Sequence, residues 1–433
     1  MTSAIQPDGI ERAPLEKIAQ QVGTPYYIYD AALLRERVAG ARTAITNRGV
    51  QLRFAMKACS AHKVLETMRE SGIWIDAVSA NEALRARRAG FAGGHRPPQI
   101  LYTADVFRDG AVAVIQREGL LPNIGSPLMV EALAHGGWNG PIGLRVNPGF
   151  GHGHVQACDT GGPSSKHGIW PDQEAAVRAD AAHHGFPVVL LHAHIGTGSG
   201  VDEFVANMTR LTEFFLERLE RYPQLEAVSF GGGIPYPYRP GTTAVDLDPI
   251  GVLLARARKE IERRAGRSIR VEIEPGRYFV APVATLVARV TDIKRTQANE
   301  KGAGQTFVMV DAGFVDLVRP AMYGSYHHIS VAGKRTSTHG AMNAVVAGPL
   351  CESGDVFTRD AQELVDPREL PTVTPGDLVL LHDAGAYGAS MSSNYNSIGR
   401  APQVWWDGGR TALMSRRETL DDIVRAECWE ELR

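Results

Sequence analysis

The chain has 433 residues, 44% of them hydrophobic and 22% charged, with a formal net charge of −2. That length allows two domains with a large buried core, and the composition is ordinary for a globular protein. The near-neutral charge gives no electrostatic case for nucleic acid or an anionic membrane, no apolar run is long enough to span a bilayer, and the polar N-terminus lacks a signal-peptide core.

In chain order, the first 30 residues contain one aromatic run, TPYYIYD (24–30). From about residue 50, short apolar runs alternate with helical patterns. The runs are QLRFAMKA (51–58), GIWIDAVS (72–79), QILYTAD (99–105), LPNIGS (121–126), IGLRVNP (142–148), VVLLHAHIG (188–196), LEAVSFGGG (225–233) and IRVEIEPGR (269–277). Each is short and nearly continuous in apolar character, as strands buried on both faces are. Helical patterns separate most of them; in 201–222, Phe204, Met208, Leu211, Phe215 and Leu219 recur at helical spacing. Eight strands alternating with helices predict a (β/α)8 barrel over residues 31–282, with an open doubly wound sheet as the alternative from pattern alone. After residue 283 the pattern changes. ATLVARVTDIKRT, QTFVMVDAGF, AMNAVVAGPL, GDLVLLHDAGA and PQVWWDGGRTALMSRR read as strands without long helices, and Asp407-Gly408-Gly409 is a hairpin signal. Residues 283–433 are therefore expected to form a β-sandwich or β-barrel domain, with residues 1–30 pairing into it. Cys59, Cys158, Cys351 and Cys428 make no CxxC pair, so neither a disulfide framework nor a zinc site is expected, and a reducing cytoplasm fits.

In such a barrel, chemistry sits at the C-terminal ends of the strands. The unusual residues fall there: Lys57 on run one, Asp76 and Ser79 on run two, Arg145 and Asn147 on run five. His194, Gly196 and Thr197 end run six, Gly231 to Gly233 run seven, and Glu274, Gly276 and Arg277 run eight. Lys57 in an apolar strand has two readings. Either it reaches solvent from the strand end, or burial lowers its proton affinity and suits it to Schiff-base chemistry. The glycine run and Gly276-Arg277 suit a phosphate site on strands seven and eight, or are tight turns. Glu274 suits a protonated ring nitrogen, or an ordinary salt bridge. His194 suits ring stacking, or a structural role; with His192 it has no obvious third partner for a metal. In the β domain, Cys351 and Glu352 share the GPLCESGDVF loop, Arg319 and Tyr323 lie in FVDLVRPAMYGSYHH, and Tyr387 sits among small residues.

Together the motifs FAMKACS, GLRVNPGFGHGHVQ, TGGPSSKHGIW, HAHIG, GGG, EPGR, DAGFVDLVRPAMYGSYHHIS, GPLCESGDVF and HDAGAYGASMSSNYNS cover nearly the whole chain. They resemble the diaminopimelate decarboxylase family, within the alanine-racemase-like (fold type III) pyridoxal phosphate enzymes; the run from Asn147 to Trp170 looks most like the enterobacterial type. The resemblance implies loss of CO2 from meso-2,6-diaminopimelate to give L-lysine, with pyridoxal 5'-phosphate bound covalently to Lys57. Asp76 and Arg145 would support the lysine and the cofactor ring, His194 would stack on it, and Glu274 would pair with its nitrogen. Thr197, Gly232, Gly233, Gly276 and Tyr387 would hold the phosphate, while Arg277, Arg319 and Tyr323 would bind carboxylates. Cys351 and Glu352 would come from the second subunit of a homodimer, with Glu352 reading a substrate amine; Cys351 is the first candidate to supply or position the Cα proton, with water or His194 as alternatives. One departure stands out: the family usually has HIGSG, whereas this chain reads HIGTGSG, leaving Thr197 and Ser199 as alternative phosphate hydroxyls. Decarboxylases acting on D-lysine, D-ornithine or carboxynorspermidine are the nearest alternatives. A racemase or a regulator without cofactor fits the motif set less well.

Overall fold

The computed structural model describes residues 11–108, 110–151, 160–197, 200–300, 302–360, 362 and 364–430. It divides into two compact units. One holds residues 35–237 and 243–279; the other holds the N-terminal residues through Leu34, residues 238–242, and everything from Val280 onward.

The first strand, β1 (Tyr26–Asp30), belongs to the latter unit. The next eight build the former: β2 (Gln51–Ala55), β3 (Trp74–Ala77), β4 (Ile100–Ala104), β5 (Leu121–Ile124), β6 (Ile142–Arg145), β7 (Val188–His192), β8 (Ala227–Ser229) and β9 (Arg270–Ile273). All pair in parallel with their sequence neighbours, and β9 pairs back onto β2 through Gln51–Glu272 and Leu52–Ile273. That last pairing closes the barrel and removes the open-sheet alternative. The strands are short because few residues satisfy both conditions of a barrel interior, a side chain buried on each face and a backbone in the ladder. Each strand stops before the end of its apolar sequence run. The residues beyond it leave the ladder for loops, and most of the residues singled out for chemistry lie there, while Asp76 and Arg145 stay within the ends of β3 and β6.

The helix Val201–Leu216 buries Phe204, Met208, Leu211 and Phe215, as its spacing predicts, and Leu219 falls in a separate 3₁₀ turn (Leu219–Arg221). Asp202 and Glu203 in its first turn face the positive end of the helix dipole. Ser79, a strand-end candidate in the sequence, caps the helix Ala80–Arg88. Its Oγ accepts from the Glu82 amide at 3.1 Å, while the Glu82 carboxylate accepts from Val78 N at 2.8 Å.

The barrel buries one ion pair completely. Arg53 Nε donates to Glu272 at 2.5 Å, both side chains are 0% exposed, and Arg53 Nη1 also donates to the carbonyls of Ile75 and Pro98. Arg270 gives Glu272 a second cation at 2.6 Å. Removing one partner strands the other charge in a dry interior. Arg53→Met is therefore expected to lower the unfolding free energy by about 3 kcal/mol, softened by Arg270. A shift of the urea midpoint to lower concentration measures it; an unchanged midpoint would contradict the account.

In the other unit, β10 (Ala284–Arg295) is the spine. Its first half pairs antiparallel with β1, and its second half with β11 (Thr306–Val310), with a register shift between Val290 and Asp292. The remaining strands are β12 (Ile329–Val331), β13 (Ala341–Ala347), β14 (Arg368–Pro371), β15 (Leu378–Leu381), β16 (Gln403–Asp407) and β17 (Arg410–Ser415). The main path runs β14-β13-β11-β10-β1-β16-β17, and β15 joins β10 to β12. β1 also pairs in parallel with β16. The turn between β16 and β17 places Gly408 and Gly409 at φ of 57° and 86°, the left-handed pair that a two-residue hairpin requires. Two strands escape sequence reading: β12 has only three residues, and β14 contains Pro371. A helix at Arg12–Val22, also unread in the sequence, buries Leu15, Ile18 and Ala19 against Tyr26, Val287, Leu378, Leu380 and Val404.

Candidate active site

The barrel strands deliver a cluster of ionisable groups to their C-terminal ends. Lys57 lies one turn past β2, in the 3₁₀ turn Met56–Ala58. It is exposed between two buried neighbours, in line with the solvent-reaching reading, and it lies past the strand rather than inside it. The backbone leaves the ladder after Ala55, so the side chain points out of the packed layer. Its charge is still felt by Asp76, Glu82 and His194.

Asp76 lies on β3 and is buried, and its Oδ1 has no hydrogen-bond partner among the described residues. Burial, followed by the charge of Glu274, pushes its carboxyl up against the pull of Lys57 and Thr103. Glu274, just after β9, behaves oppositely. Burial would raise it, but the His192 charge and hydrogen bond and the Ser229 hydroxyl overturn this and hold it at about 2. His192 Nε2 lies 3.0 Å from Glu274 Oε2, and Ser229 Oγ donates to Oε1 at 2.6 Å. The two acids are driven in opposite directions, Asp76 upward by burial and the Glu274 charge and Glu274 downward by His192 and Ser229. Burial, then the positive charges of Arg145 and Lys57, push His194 well below the usual histidine range. Its ring is neutral, and its buried Nδ1 has no partner among the described residues.

Arg145 ends β6 and is buried. Asp105, one residue past β4, lies 4.0 Å from it. Asp105 also accepts from the Gly168 amide at 3.3 Å and lies 2.5 Å from His167 Nδ1. Burial works against this charge, but the His167 hydrogen bond and Arg145 hold Asp105 at about 2. Asn147 ties down the same loop, accepting from the amides of Gly149 and Gly162 and donating to the carbonyls of Gly162 and His167. Asp105, His167, His192, Ser229 and Glu82 were not read from the sequence as site residues. Signals existed for Asp105, an acid at the end of an otherwise apolar run, and for Glu82, three residues after Ser79; the others are recognisable only through partners far along the chain.

The glycine run is a close-packing device. A Cβ at Gly231 would lie 2.6 Å from His194 Cβ, one at Gly232 2.6 Å from the Glu274 carbonyl, and one at Gly233 2.2 Å from the Gly196 carbonyl. Only glycine lets this turn touch both the His194 loop and the Glu274 segment. Gly276 is crowded in the same way by Ala55 O at 2.9 Å. Arg277 opens the short helix Arg277–Val280 and is half-buried. Thr197 is half-buried, and Ser199 lies outside the described residues.

In the unit that starts again at Val280, Arg319 begins the helix Arg319–Tyr323 and is buried, with Tyr323 half-buried at its end. Cys351 and Glu352 are exposed on a loop braced by Asp355, which accepts from Phe314 N at 2.7 Å and Leu350 N at 2.8 Å. Tyr387 has φ of 59°, a left-handed conformation that costs a side-chain-bearing residue about 1–3 kcal/mol.

Comparison with known proteins decides what this cluster belongs to. Residues 31–281 match the family model described as the pyridoxal-dependent decarboxylase pyridoxal-binding domain. The chain is 42% identical to the diaminopimelate decarboxylase of Escherichia coli K12 over 95% of this chain and 96% of that one. It is 41% identical to the diaminopimelate decarboxylase of Streptomyces coelicolor over 97% and 93%. A crystal structure of diaminopimelate decarboxylase superposes with a TM-score of 0.89 at 40% identity, covering 98% of this chain and 99% of that one. The chain belongs to the diaminopimelate decarboxylase family. Members of this family are pyridoxal-phosphate-dependent carboxy-lyases with a TIM-type barrel and a β domain, the architecture seen here.

The residues of this diaminopimelate decarboxylase family member suit its cofactor. Asp76 Oδ1, His192 Nδ1 and His194 Nδ1 are buried polar atoms without partners among the described residues. Such atoms are costly unless a ligand meets them. A primary amine, Lys57, stands in the same charge cluster, and an ionised carboxylate, Glu274, is available for a ring N–H. Among the described residues no helix is long and apolar enough to cross a membrane.

Proposed function

We propose that the barrel mouth holds pyridoxal phosphate on Lys57 and that the enzyme removes one carboxyl group of meso-2,6-diaminopimelate as CO2, leaving L-lysine, the last step of lysine biosynthesis. The observation that carries the reading is Glu274 at the barrel mouth, held ionised by His192 and Ser229, beside an Asp76 carboxyl that burial and the Glu274 charge push the other way. When bound, the cofactor supplies a pyridinium ring that accepts the electrons released with CO2. Lys57 would anchor the aldehyde carbon, and Glu274 would keep a proton on the ring nitrogen. His194 would face the cofactor ring, Arg145 and Asp76 would set the charge around the lysine, and Thr197, Gly232, Gly233, Gly276 and Arg277 would hold the phosphate end.

For the second unit, the reading rests on the sequence resemblance. Arg319 and Tyr323, with Arg277, take the substrate's distal carboxylate; Glu352 reads its amine; Tyr387 contributes to phosphate binding; Cys351 donates the proton to Cα. The enzyme works as a homodimer, in which Cys351 and Glu352 serve the partner's site. Their exposure in the single chain supports this. A cytoplasmic setting fits the free thiols of Cys59, Cys351 and Cys428.

The test is CO2 release from meso-diaminopimelate with and without added pyridoxal phosphate, beside L-lysine and ornithine. Cofactor-dependent release confined to diaminopimelate is expected. A site that pairs a second carboxylate leaves buried cations unmatched by a simple diamino acid. Comparable turnover of ornithine or lysine would overturn the substrate assignment.

A further inference from the structure

Arg319 is 2% exposed, and its guanidinium is held by a histidine, a serine and a tyrosine ring. Nη1 donates to His327 Nε2 at 2.9 Å, Nη2 donates to Ser325 Oγ at 3.2 Å, and the Tyr238 ring centre lies 4.6 Å away. These partners fix the direction of the fork. His327 is itself 1% exposed. Its Nδ1 lies 2.8 Å from the His382 carbonyl, its ring packs edge-on against Tyr238, and Arg368 Nη1 donates to its own backbone carbonyl at 2.6 Å.

These contacts determine the protonation of His327. A guanidinium only donates, so Nε2 must carry a lone pair; a carbonyl only accepts, so Nδ1 must carry the hydrogen. The ring is a neutral, single-tautomer acceptor clamped on its far side by backbone. It turns the Arg319 fork in one direction, and a planar fork recognises a carboxylate only in the correct orientation.

We propose that His327 is a positioning residue for substrate choice: by orienting Arg319 it sets the preference for a dicarboxylate over a monocarboxylate. This rests on the reading of Arg319 as the clamp for the distal carboxylate. The histidine touches neither substrate nor cofactor. Its loss should weaken recognition of the second carboxylate while leaving the bond-breaking step alone.

The test uses the cofactor-loaded enzyme and its His327→Leu, His327→Gln and Arg319→Lys variants. Two measurements are made: KM and kcat for diaminopimelate, and the inhibition constants of pimelate, which has both carboxylates, and hexanoate, which has one. His327→Leu is expected to raise KM and the pimelate constant about 10- to 100-fold, the size of a displaced charged hydrogen bond, with kcat within about threefold. The hexanoate constant should stay unchanged. His327→Gln, whose amide can accept from Arg319 and donate to the His382 carbonyl, should restore most of the loss. A purely structural histidine would shift both inhibitors alike, or neither, and either result overturns the proposal. If Arg319→Lys weakens pimelate but His327→Leu does not, positioning by His327 fails while the clamp stands. If Arg319→Lys leaves pimelate untouched, the clamp reading fails and the proposal with it. Should His327→Leu not fold, His327→Asn takes its place with the same expected split, being too short to span both partners.

Discussion

Lys57→Ala is expected to fold, to keep its barrel, and to lose turnover by roughly four orders of magnitude or more, as removal of a covalent-catalysis group does. The side chain is exposed in a 3₁₀ turn, so its removal opens no cavity and stability should change by about 0.5 kcal/mol or less. Chemistry suffers because an amine is needed to bond the cofactor's aldehyde. Its charge also bears on both Asp76 and His194, drawing the acid's pKa down and holding the histidine neutral. The measurement is single-turnover CO2 release together with the visible absorption of lysine-bound cofactor. Both should vanish while the thermal midpoint stays in place. A variant that kept the absorption and the turnover would remove Lys57 from the mechanism.

The second large effect is expected for Glu274→Gln. The amide is nearly the same size, and its oxygen can still accept from Ser229, so the packing around Gly232 survives. What disappears is the negative charge. A neutral amide cannot hold a proton on the ring nitrogen, and His192 loses its anionic partner. Loss of one preorganised electrostatic group costs about 10²- to 10³-fold in kcat. KM should move little, since the carboxylate is assigned to the cofactor rather than to the substrate. A kcat within about threefold of the parent would refute the assignment, on the same scale of effect.

Glu274 has a consequence for acid stability as well. Its folded pKa of about 2 lies below its ordinary value of 4.5, so the folded form binds fewer protons than the unfolded one between those limits. The stabilisation is present above pH 4.5 and is lost as pH falls toward 2. Glu274→Gln should therefore flatten the acid limb of the stability curve in that window.

Much of the site was legible because barrel geometry makes it so. A strand end is a local event: the apolar run stops, and a lysine, a glycine run or Glu-Pro-Gly-Arg follows. Lys57, Arg145, His194, Gly231 to Gly233 and Glu274 could be marked on that ground, and the motif set placed the chain in its family. Whether Lys57 is buried or reaches solvent stayed open, because an apolar neighbourhood in sequence does not reveal that the backbone turns out of the ladder after Ala55. Ser79 looked like a site residue and is a helix cap. A serine followed three residues later by glutamate carries that second meaning, and only the observed hydrogen bonds choose between the two.

By itself, then, the sequence determined the alternation of strand and helix, the positions where strands end, the β16–β17 hairpin and the family. All of these depend on residues that are neighbours in the chain. The tertiary structure alone decided that β9 closes onto β2, that burial pushes the Asp76 carboxyl up while His192 and Ser229 hold Glu274 charged, and that Asp105 holds His167. It also decided that His327 meets Nη1 of Arg319. Closure, charge division and the Asp105–His167 tie join residues tens to hundreds of positions apart. His327 lies only eight residues from Arg319, but its tautomer depends on the distant His382 carbonyl. Burial makes each of these interactions strong, and burial exists only once the distant segments have packed.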